Sequence, residues 1–240
     1  MTAEKHKAGF IKTLVIALVC AGIVRSFFFE PFHIPSSSMK PNLLIGDYLF
    51  VAKYSYGYSR YSFPFGLNIF EGRIFNKSPK RGDVAVFRLP SNPSINYIKR
   101  IIGLPGDKIQ MINGVLYING LEVKKTYEKD FIDLDGEKET TLKESKEILP
   151  EGKELFTLDQ RPDAEQDNTG IFEVPLGHYF MMGDNRDNSQ DSRFLAQVGY
   201  VPEENLVGRA TIIFFSNSKP TWQIWHWPKS IRLGRLLKTV

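Results

Sequence analysis

The sequence predicts a mostly β protein: a single N-terminal transmembrane helix, then an antiparallel β-sheet domain carrying a charged β/loop insert. Three observations predict it. One apolar run, Leu14–Val24, stands alone near the N-terminus. Beyond it, short runs rich in Val, Ile, Phe and Tyr are punctuated by Gly, Pro and Asn, the grammar of strands and tight turns. Two connections, Asn113-Gly114 and Asn119-Gly120, are two-residue Asn-Gly loops, a strong local hairpin signal. A hydrophobic share of 42% with 13% aromatics over 240 residues supplies a core and excludes a disordered chain.

Residues 1–12 form a short polar tail with Lys5, Lys7 and Lys12. The eleven residues Leu14–Val24 are too few to span a bilayer, but Phe10 to Phe29 makes twenty, about 30 Å as a helix. Lys12 and Arg25 sit near the ends of that stretch, from which both side chains reach the interface. Basic, then apolar, then small is also the order of a cleaved leader. Yet no small-x-small site follows, and Ala17-Leu-Val-Cys20 is a poor lipid-attachment box. The segment 10–29 is therefore read as an uncleaved anchor, with the basic tail inside and residues 30–240 on the far side. Cys20, the one cysteine, lies within it, so no intramolecular disulfide can form.

Glu30–Asn42 follows. It places three adjacent hydroxyls, Ser36, Ser37 and Ser38, between Pro35 and Pro41, which keep the stretch out of a helix. Leu43–Ala52 reads as a strand region. Tyr54–Lys80 is dense in aromatics (Tyr54, Tyr56, Tyr58, Tyr61, Phe63, Phe65, Phe70, Phe75) without a sustained period. Two readings stand for it: core, or a loop or long hairpin that dips into the lipid interface. Arg81-Gly-Asp83 is a turn that opens strand Val84–Leu89, and Ile95–Ile102 is a second strand closed by Leu104-Pro-Gly-Asp107. Lys108–Ile112, Val115–Ile118 and Leu121–Val123 then form a meander through the Asn-Gly loops.

The charged insert occupies 120–172, and within it Leu121–Gly170 holds 15 acidic and 8 basic residues. Thr126–Thr169 is poor in large apolars and is expected to be a mobile excursion from the core. Ile171–Met182 and Val207–Ser216 return to strand grammar. Residues 216–240 are a basic aromatic tail with Trp222, Trp225 and Trp227, and no acid occurs from Leu206 onward. Such an end could suit nucleic acid, but beside an anchor it fits an anionic membrane surface better.

A serine hydroxyl is a weak nucleophile unless a base takes its proton. His6 precedes the anchor and His226 lies in the tryptophan tail. His33 is five residues from Ser38, roughly 16 Å along an extended chain, leaving His178. Lys99 is the better base. Along Asn96–Ile102 it shares a strand face with Tyr97 and Ile101, while Ile98, Arg100 and Ile102 share the other. If the Tyr97 face is buried, desolvation must lower the ammonium's pKa from about 10.4; buried lysines reach about 5–6. These residues alone do not choose among Ser36, Ser37 and Ser38.

Three blocks read together carry a resemblance. They are Phe32-His-Ile-Pro-Ser-Ser-Ser-Met39, Tyr97-Ile-Lys-Arg-Ile-Ile-Gly-Leu-Pro-Gly-Asp107 and Gly183-Asp-Asn-Arg-Asp-Asn-Ser-Gln-Asp-Ser-Arg193. In this order, over about residues 10–235, the chain resembles the bacterial type I signal peptidases (leader peptidases). The resemblance implies a serine endopeptidase of the bacterial cytoplasmic membrane that cleaves signal peptides from exported preproteins, with an extracytoplasmic catalytic domain. It implies Ser38 as nucleophile and Lys99 as general base. Ser36, through its hydroxyl, and Ser38, through its backbone N–H, would form the oxyanion hole. Ser189 would orient the lysine amine. Asp184 with Arg100, Asp191 with Arg193, and Arg186 would be a charged framework. Phe32, Ile34, Leu43, Tyr97 and Ile98 fall where the family lines shallow pockets for small residues before the cut.

The family has no histidine at the position of His178. Departures are Ser37 where glycine is frequent, the long Tyr54–Lys80 stretch, and no cysteine pair in the catalytic domain. No cofactor is implied. No metal is expected, because no His/Cys/carboxylate cluster has ligand spacing, and there is no Gly-rich phosphate loop. The expected partners are signal peptides and membrane lipid, not nucleic acid, and the expected state is a monomer. Two rivals come from other classes. A self-cleaving repressor-type Ser–Lys protease needs a cleavable internal Ala-Gly, but Ala21-Gly22 lies inside the anchor. An anchored β-domain could instead bind exported polypeptides by strand addition without cutting them.

Overall fold

The computed structural model describes residues 2–63, 71–135, 138–161 and 164–240. Helix α1 (Thr2–Phe27) carries the apolar run, and over Gly9–Phe27 its mean hydropathy is 2.0 with 6% of the window buried. An apolar helix that packs against almost nothing is suited to lipid on all sides. It stops at Phe27, and Phe29 already belongs to strand β1 (Phe29–His33), so the last residues of the expected 10–29 span are not helical.

Strand β2 (Asp47–Ala52) pairs antiparallel with β1. It starts later than the expected Leu43 because Leu43–Gly46 is a turn, in which the Leu44 N–H donates to the Asp47 carboxylate at 2.8 Å. Gly46 there has φ +86°, and a Cβ would lie 1.9 Å from the Asn217 carbonyl oxygen. The aromatic stretch divides between core and surface. Tyr56 is core, 2% exposed, whereas Tyr54 and Phe75 are 41% and 78% exposed around the short hairpin β3 (Tyr58–Ser59) and β4 (Arg73–Ile74). Phe65 and Phe70 lie outside the described residues.

Next come β5 (Val84–Leu89), β6 (Asn92–Gly103), β7 (Lys108–Ile112), β8 (Val115–Ile118) and β9 (Leu121–Glu122). Asn113 and Asn119 have φ of 50° and 54°, and the glycines after them 72° and 78°. Left-handed backbone at both central positions is what a primed hairpin turn requires.

The insert is not an excursion from the core. It forms β10 (Lys124–Asp135), β11 (Lys138–Ile148) and β12 (Glu154–Asp159), an antiparallel three-stranded sheet. Leu149 and Leu155, 1% and 3% exposed, join one core cluster with Ile109, Leu116 and Phe180. Its polar surface conceals this role, since the charges pair across strands, as Lys146 does with Glu154 at 2.6 Å.

Strands β13 (Phe172–Glu173), β14 (His178–Met182), β15 (Val201–Pro202) and β16 (Leu206–Ser216) follow, and a short helix α2 (Trp227–Ser230) sits in the tail. The main sheet runs β1-β2-β16-β5-β6-β14-β15, and a second, four-stranded sheet runs β13-β7-β8-β9. Strand β6 is central to the site. Ile98 packs with Ile34, Met39 and Leu43, Ile102 with the meander, and Tyr97 and Ile101 with Phe87 and Tyr179. Both of its faces are therefore covered, so Lys99 and Arg100 are each only 4% exposed.

Candidate active site

The triple serine is held as a bend by what flanks it. Ile34 and Met39, each 1% exposed, plug into the core on either side; each such burial contributes about 1.5–3 kcal/mol. Two asparagines of the Gly183–Arg193 block pin the bend from above. The Asn185 N–H donates to Ser38 O at 3.0 Å, and Asn188 Nδ2 donates to Ser37 Oγ at 2.7 Å. Gly183 permits the approach: a Cβ there would lie 2.2 Å from Ser189 Oγ and 2.6 Å from Ser38 O.

Beneath the bend, Lys99 Nζ donates to Ser38 Oγ at 2.6 Å and to Ile98 O at 3.1 Å. Ser38 is 6% exposed. Burial is the main cause that brings the Lys99 pKa down from 10.5 to about 8, opposed by the fields of Asp191 and Asp184 and helped by Arg193. A pKa near 8 leaves roughly a tenth of the amine neutral at pH 7, against a few in ten thousand for a free lysine. Ser36 Oγ lies 3.3 Å from Ser38 Oγ. Ser189 Oγ is buried nearby and turns to the Asp191 carboxylate, helping to keep it charged; among the described residues it makes no hydrogen bond to Lys99.

The charged residues form buried pairs around this centre. Arg100 grips Asp184 with two bonds, 2.7 and 2.6 Å, and Asp184 also accepts from Asn42 at 2.8 Å. Arg193 holds Asp191 at 2.8 and 2.9 Å, and Asp191 accepts the Gly183 N–H at 2.9 Å. Burial alone would raise the Asp191 pKa; Arg193, the Gly183 N–H and the Ser189 hydroxyl together outweigh it and hold the carboxylate below its ordinary range. Arg186 is paired with Glu147 of β11 at 2.7 and 2.6 Å, both residues at most 1% exposed. Lys40, two residues after Ser38, pairs with Asp133 of β10. The insert thus reaches the triple-serine loop and the third block alike.

An open cleft of about 630 Å³ runs over Ser36, Ser37, Ser38 and Lys99 and is walled by Tyr97, Ile98, Ser189 and Gln190. Tyr97 Oη donates to Gln190 Oε1 at 2.9 Å across it. Of the five expected pocket residues, Tyr97 and Ile98 line the cleft. Ile34 and Leu43 are buried behind it, and Phe32 packs half-buried against the same cluster. His33, stacked on Tyr48, and His178 and His226 do not line the cleft.

Reading the sequence missed Asn42, Asn185, Asn188 and Glu147. Asn185 and Asn188 stood inside a block already singled out; their side-chain amides donate to Ser37 O at 3.2 Å and to Ser37 Oγ at 2.7 Å, contacts of the kind this residue type supplies in loops. Glu147 carried no signal, being one acid among fifteen in Leu121–Gly170.

A family model described as signal peptidase, peptidase S26, matches residues 7–215. The chain is similar to Signal peptidase I of Rickettsia typhi, 42% identical over 100% of this chain and 94% of the relative. It is similar to that of Rickettsia prowazekii, 41% identical over the same shares. A solved signal peptidase I from Enterococcus faecalis overlays 55% of this chain and 97% of its own at 28% identity and a TM-score of 0.33.

Proposed function

Because the chain belongs to the signal peptidase, peptidase S26 family, and is thereby a serine peptidase with an apolar helix suited to a membrane anchor, we propose that it cleaves signal peptides from exported preproteins with Ser38 as nucleophile and Lys99 as general base. The carrying observation is the 2.6 Å contact between Lys99 Nζ and Ser38 Oγ, both residues buried at the floor of the cleft. Neutral Lys99 takes the Ser38 proton as Oγ bonds to the scissile carbonyl carbon. The resulting oxyanion lies against the Ser36 hydroxyl and the Ser38 N–H. Collapse breaks the C–N bond, and the Lys99 ammonium returns its proton to the departing amine. Lys99 then takes a proton from a water whose oxygen bonds to the acyl carbon, and the ammonium returns that proton to Ser38 Oγ as the acyl C–Oγ bond breaks. The arginine-paired carboxylates hold the frame and exchange no proton.

Residues 30–240 act as one catalytic β domain on the extracytoplasmic side, with 1–12 inside, which the basic tail Lys5, Lys7 and Lys12 supports. A chain of ring contacts supports a lipid-facing side: Phe29–Phe50–Phe214–Tyr48–Phe215–Trp227, each step 4.4 to 6.2 Å. Trp222 and Trp225 stand exposed near its end, in a tail that also carries the exposed Lys229. Membership in a peptidase family speaks against both the non-cutting binder and the self-cleaving repressor. The test is cleavage of a synthetic preprotein by the purified protein, with the new N-terminus sequenced. Ser38→Ala should bind the substrate and leave it whole; cleavage by Ser38→Ala would refute the assignment.

A further inference from the structure

The joint between helix and sheet has almost no slack. α1 ends at Phe27, Phe28 alone intervenes, and β1 begins at Phe29. Phe28 is tied on both sides: its N–H donates to Val24 O at 2.9 Å, and its carbonyl accepts the Lys53 N–H at 3.0 Å. The Tyr58 hydroxyl donates to Phe27 O at 2.8 Å, and the two rings meet edge-on at 5.6 Å.

Across this joint lies a charge clamp. The Glu30 carboxylate accepts Arg25, from the last turn of α1, at 2.9 Å and Lys53 at 2.8 Å. The Lys53 side chain is 3% exposed and also donates to Ser62 O at 2.7 Å. None of these residues lines the cleft. Apolar side chains in place of both Glu30 and Lys53 would fill this space without the desolvation cost of buried charges, so the clamp calls for a role beyond packing.

β1 leads directly to the nucleophile loop. Its five residues advance about 16 Å. Ile34 N–H then donates to Asp47 O at 2.9 Å just before Pro35 and the triple serine. A continuously braced line therefore joins the anchor to Ser38. We propose that the Arg25–Glu30–Lys53 clamp makes anchor and sheet an arm of fixed length, so that the enzyme selects membrane-tethered preproteins by the spacing between their apolar segment and the scissile bond. This rests on the signal-peptidase reading and deepens it. A loose joint would let Ser38 sample many heights and accept many spacings; a fixed one concentrates the nucleophile at one height.

The test uses the full chain in phosphatidylethanolamine–phosphatidylglycerol vesicles. Its substrates are a ladder of synthetic preproteins sharing one apolar segment and one cut site, with the spacer lengthened a residue at a time. A short soluble peptide with the same cut site serves as reference. Wild type should show a sharp optimum. Glu30→Gln, and separately a Gly-Ser-Gly insertion between Phe28 and Phe29 that alters no buried side chain, should flatten it. Off-optimum members should gain about 10-fold relative to the optimum, while kcat/KM on the soluble peptide stays within about twofold. Equally sharp ladders in both variants overturn the proposal. So does loss of soluble-peptide cleavage in Glu30→Gln, which would make the clamp part of the catalytic site. A wild type that cuts neither substrate overturns the signal-peptidase reading itself.

Discussion

Lys53 and Lys99 are both sealed from solvent, 3% and 4% exposed, and they keep opposite company. Lys53 meets the Glu30 carboxylate at 2.8 Å. Lys99 meets a serine hydroxyl and a carbonyl, and among the described residues no carboxylate pairs with it. Its nearest acids, Asp184 and Asp191, are each held by an arginine. Burial lowers both lysines' pKa values; Glu30 counteracts this directly at Lys53, whereas at Lys99 the value falls to about 8. The absence of a paired carboxylate, more than burial, is what separates a candidate base from a structural lysine.

The sharpest way to break that contrast is kinetic. Lys99→Ala should lose on the order of 10⁴–10⁶ in kcat on a soluble peptide, whereas Lys53→Met should stay within a few-fold. Ser38→Ala combined with Lys99→Ala should be no worse than either alone, as the proposed dyad working as one unit requires. Turnover surviving in Lys99→Ala, or lost in His178→Ala, would transfer the base role to histidine. Next in size is Ser36, whose hydroxyl lies 3.3 Å from Ser38 Oγ. Ser36→Ala should lower kcat by about 10²–10³ with KM little changed, and Ser36→Thr should be milder. An unaffected kcat in Ser36→Ala would place the oxyanion elsewhere.

The contrast between the lysines was only half legible in the sequence. The strand face that Lys99 shares with Tyr97 and Ile101 follows from period-2 alternation, and so do the meander and its Asn-Gly turns. Local rules of backbone sterics suffice for those. What sequence alone could not give was partnership at long range. Strand β16 inserts between β2 and β5, joining Arg209 to Ala52 and Ala85 across most of the chain. The Glu147–Arg186 pair spans 39 positions, and in a segment this charged, nothing distinguishes a fully buried glutamate from its solvated neighbours. The insert therefore read as solvated when it is a buttress. The resemblance puts Ile34 and Leu43 among the pocket-lining residues, and in the structure they are 1% and 0% exposed, a depth that a motif match does not carry.

Stability sharpens the contrast further, with opposite signs at the two lysines. Lys53→Met leaves Glu30 with Arg25 alone. Losing one partner of a fully enclosed pair costs about 3–5 kcal/mol; here Glu30 keeps some solvent, so about 2 kcal/mol is expected. A lower urea midpoint with an unchanged slope at pH 7 checks it. A midpoint equal to that of wild type would mean the pair contributes nothing.

Lys99→Met should move the other way, by a smaller amount and with a definite pH dependence. At pH 7 the folded and unfolded states both carry the lysine proton, so folding buries an ammonium. The fall from 10.5 to about 8 corresponds to about 3 kcal/mol of lost stability there. Between those two values the unfolded chain holds a proton that the folded one has released, so wild-type stability rises with pH, and above 10.5 the penalty is gone. Replacing Lys99 also removes its bonds to Ser38 and Ile98, about 1 kcal/mol each. The net gain of Lys99→Met should thus be about 1 kcal/mol at pH 7 and should vanish or reverse as pH climbs through that window. Over the same rise, wild-type cleavage should accelerate as pH passes about 8, because the neutral amine is the proposed base. Urea midpoints at neutral and alkaline pH, beside a pH–rate curve, read both effects from one lysine. A Lys99→Met protein that is less stable than wild type by the same margin at every pH would make Lys99 a structural lysine like Lys53, and the difference between the two sites would disappear.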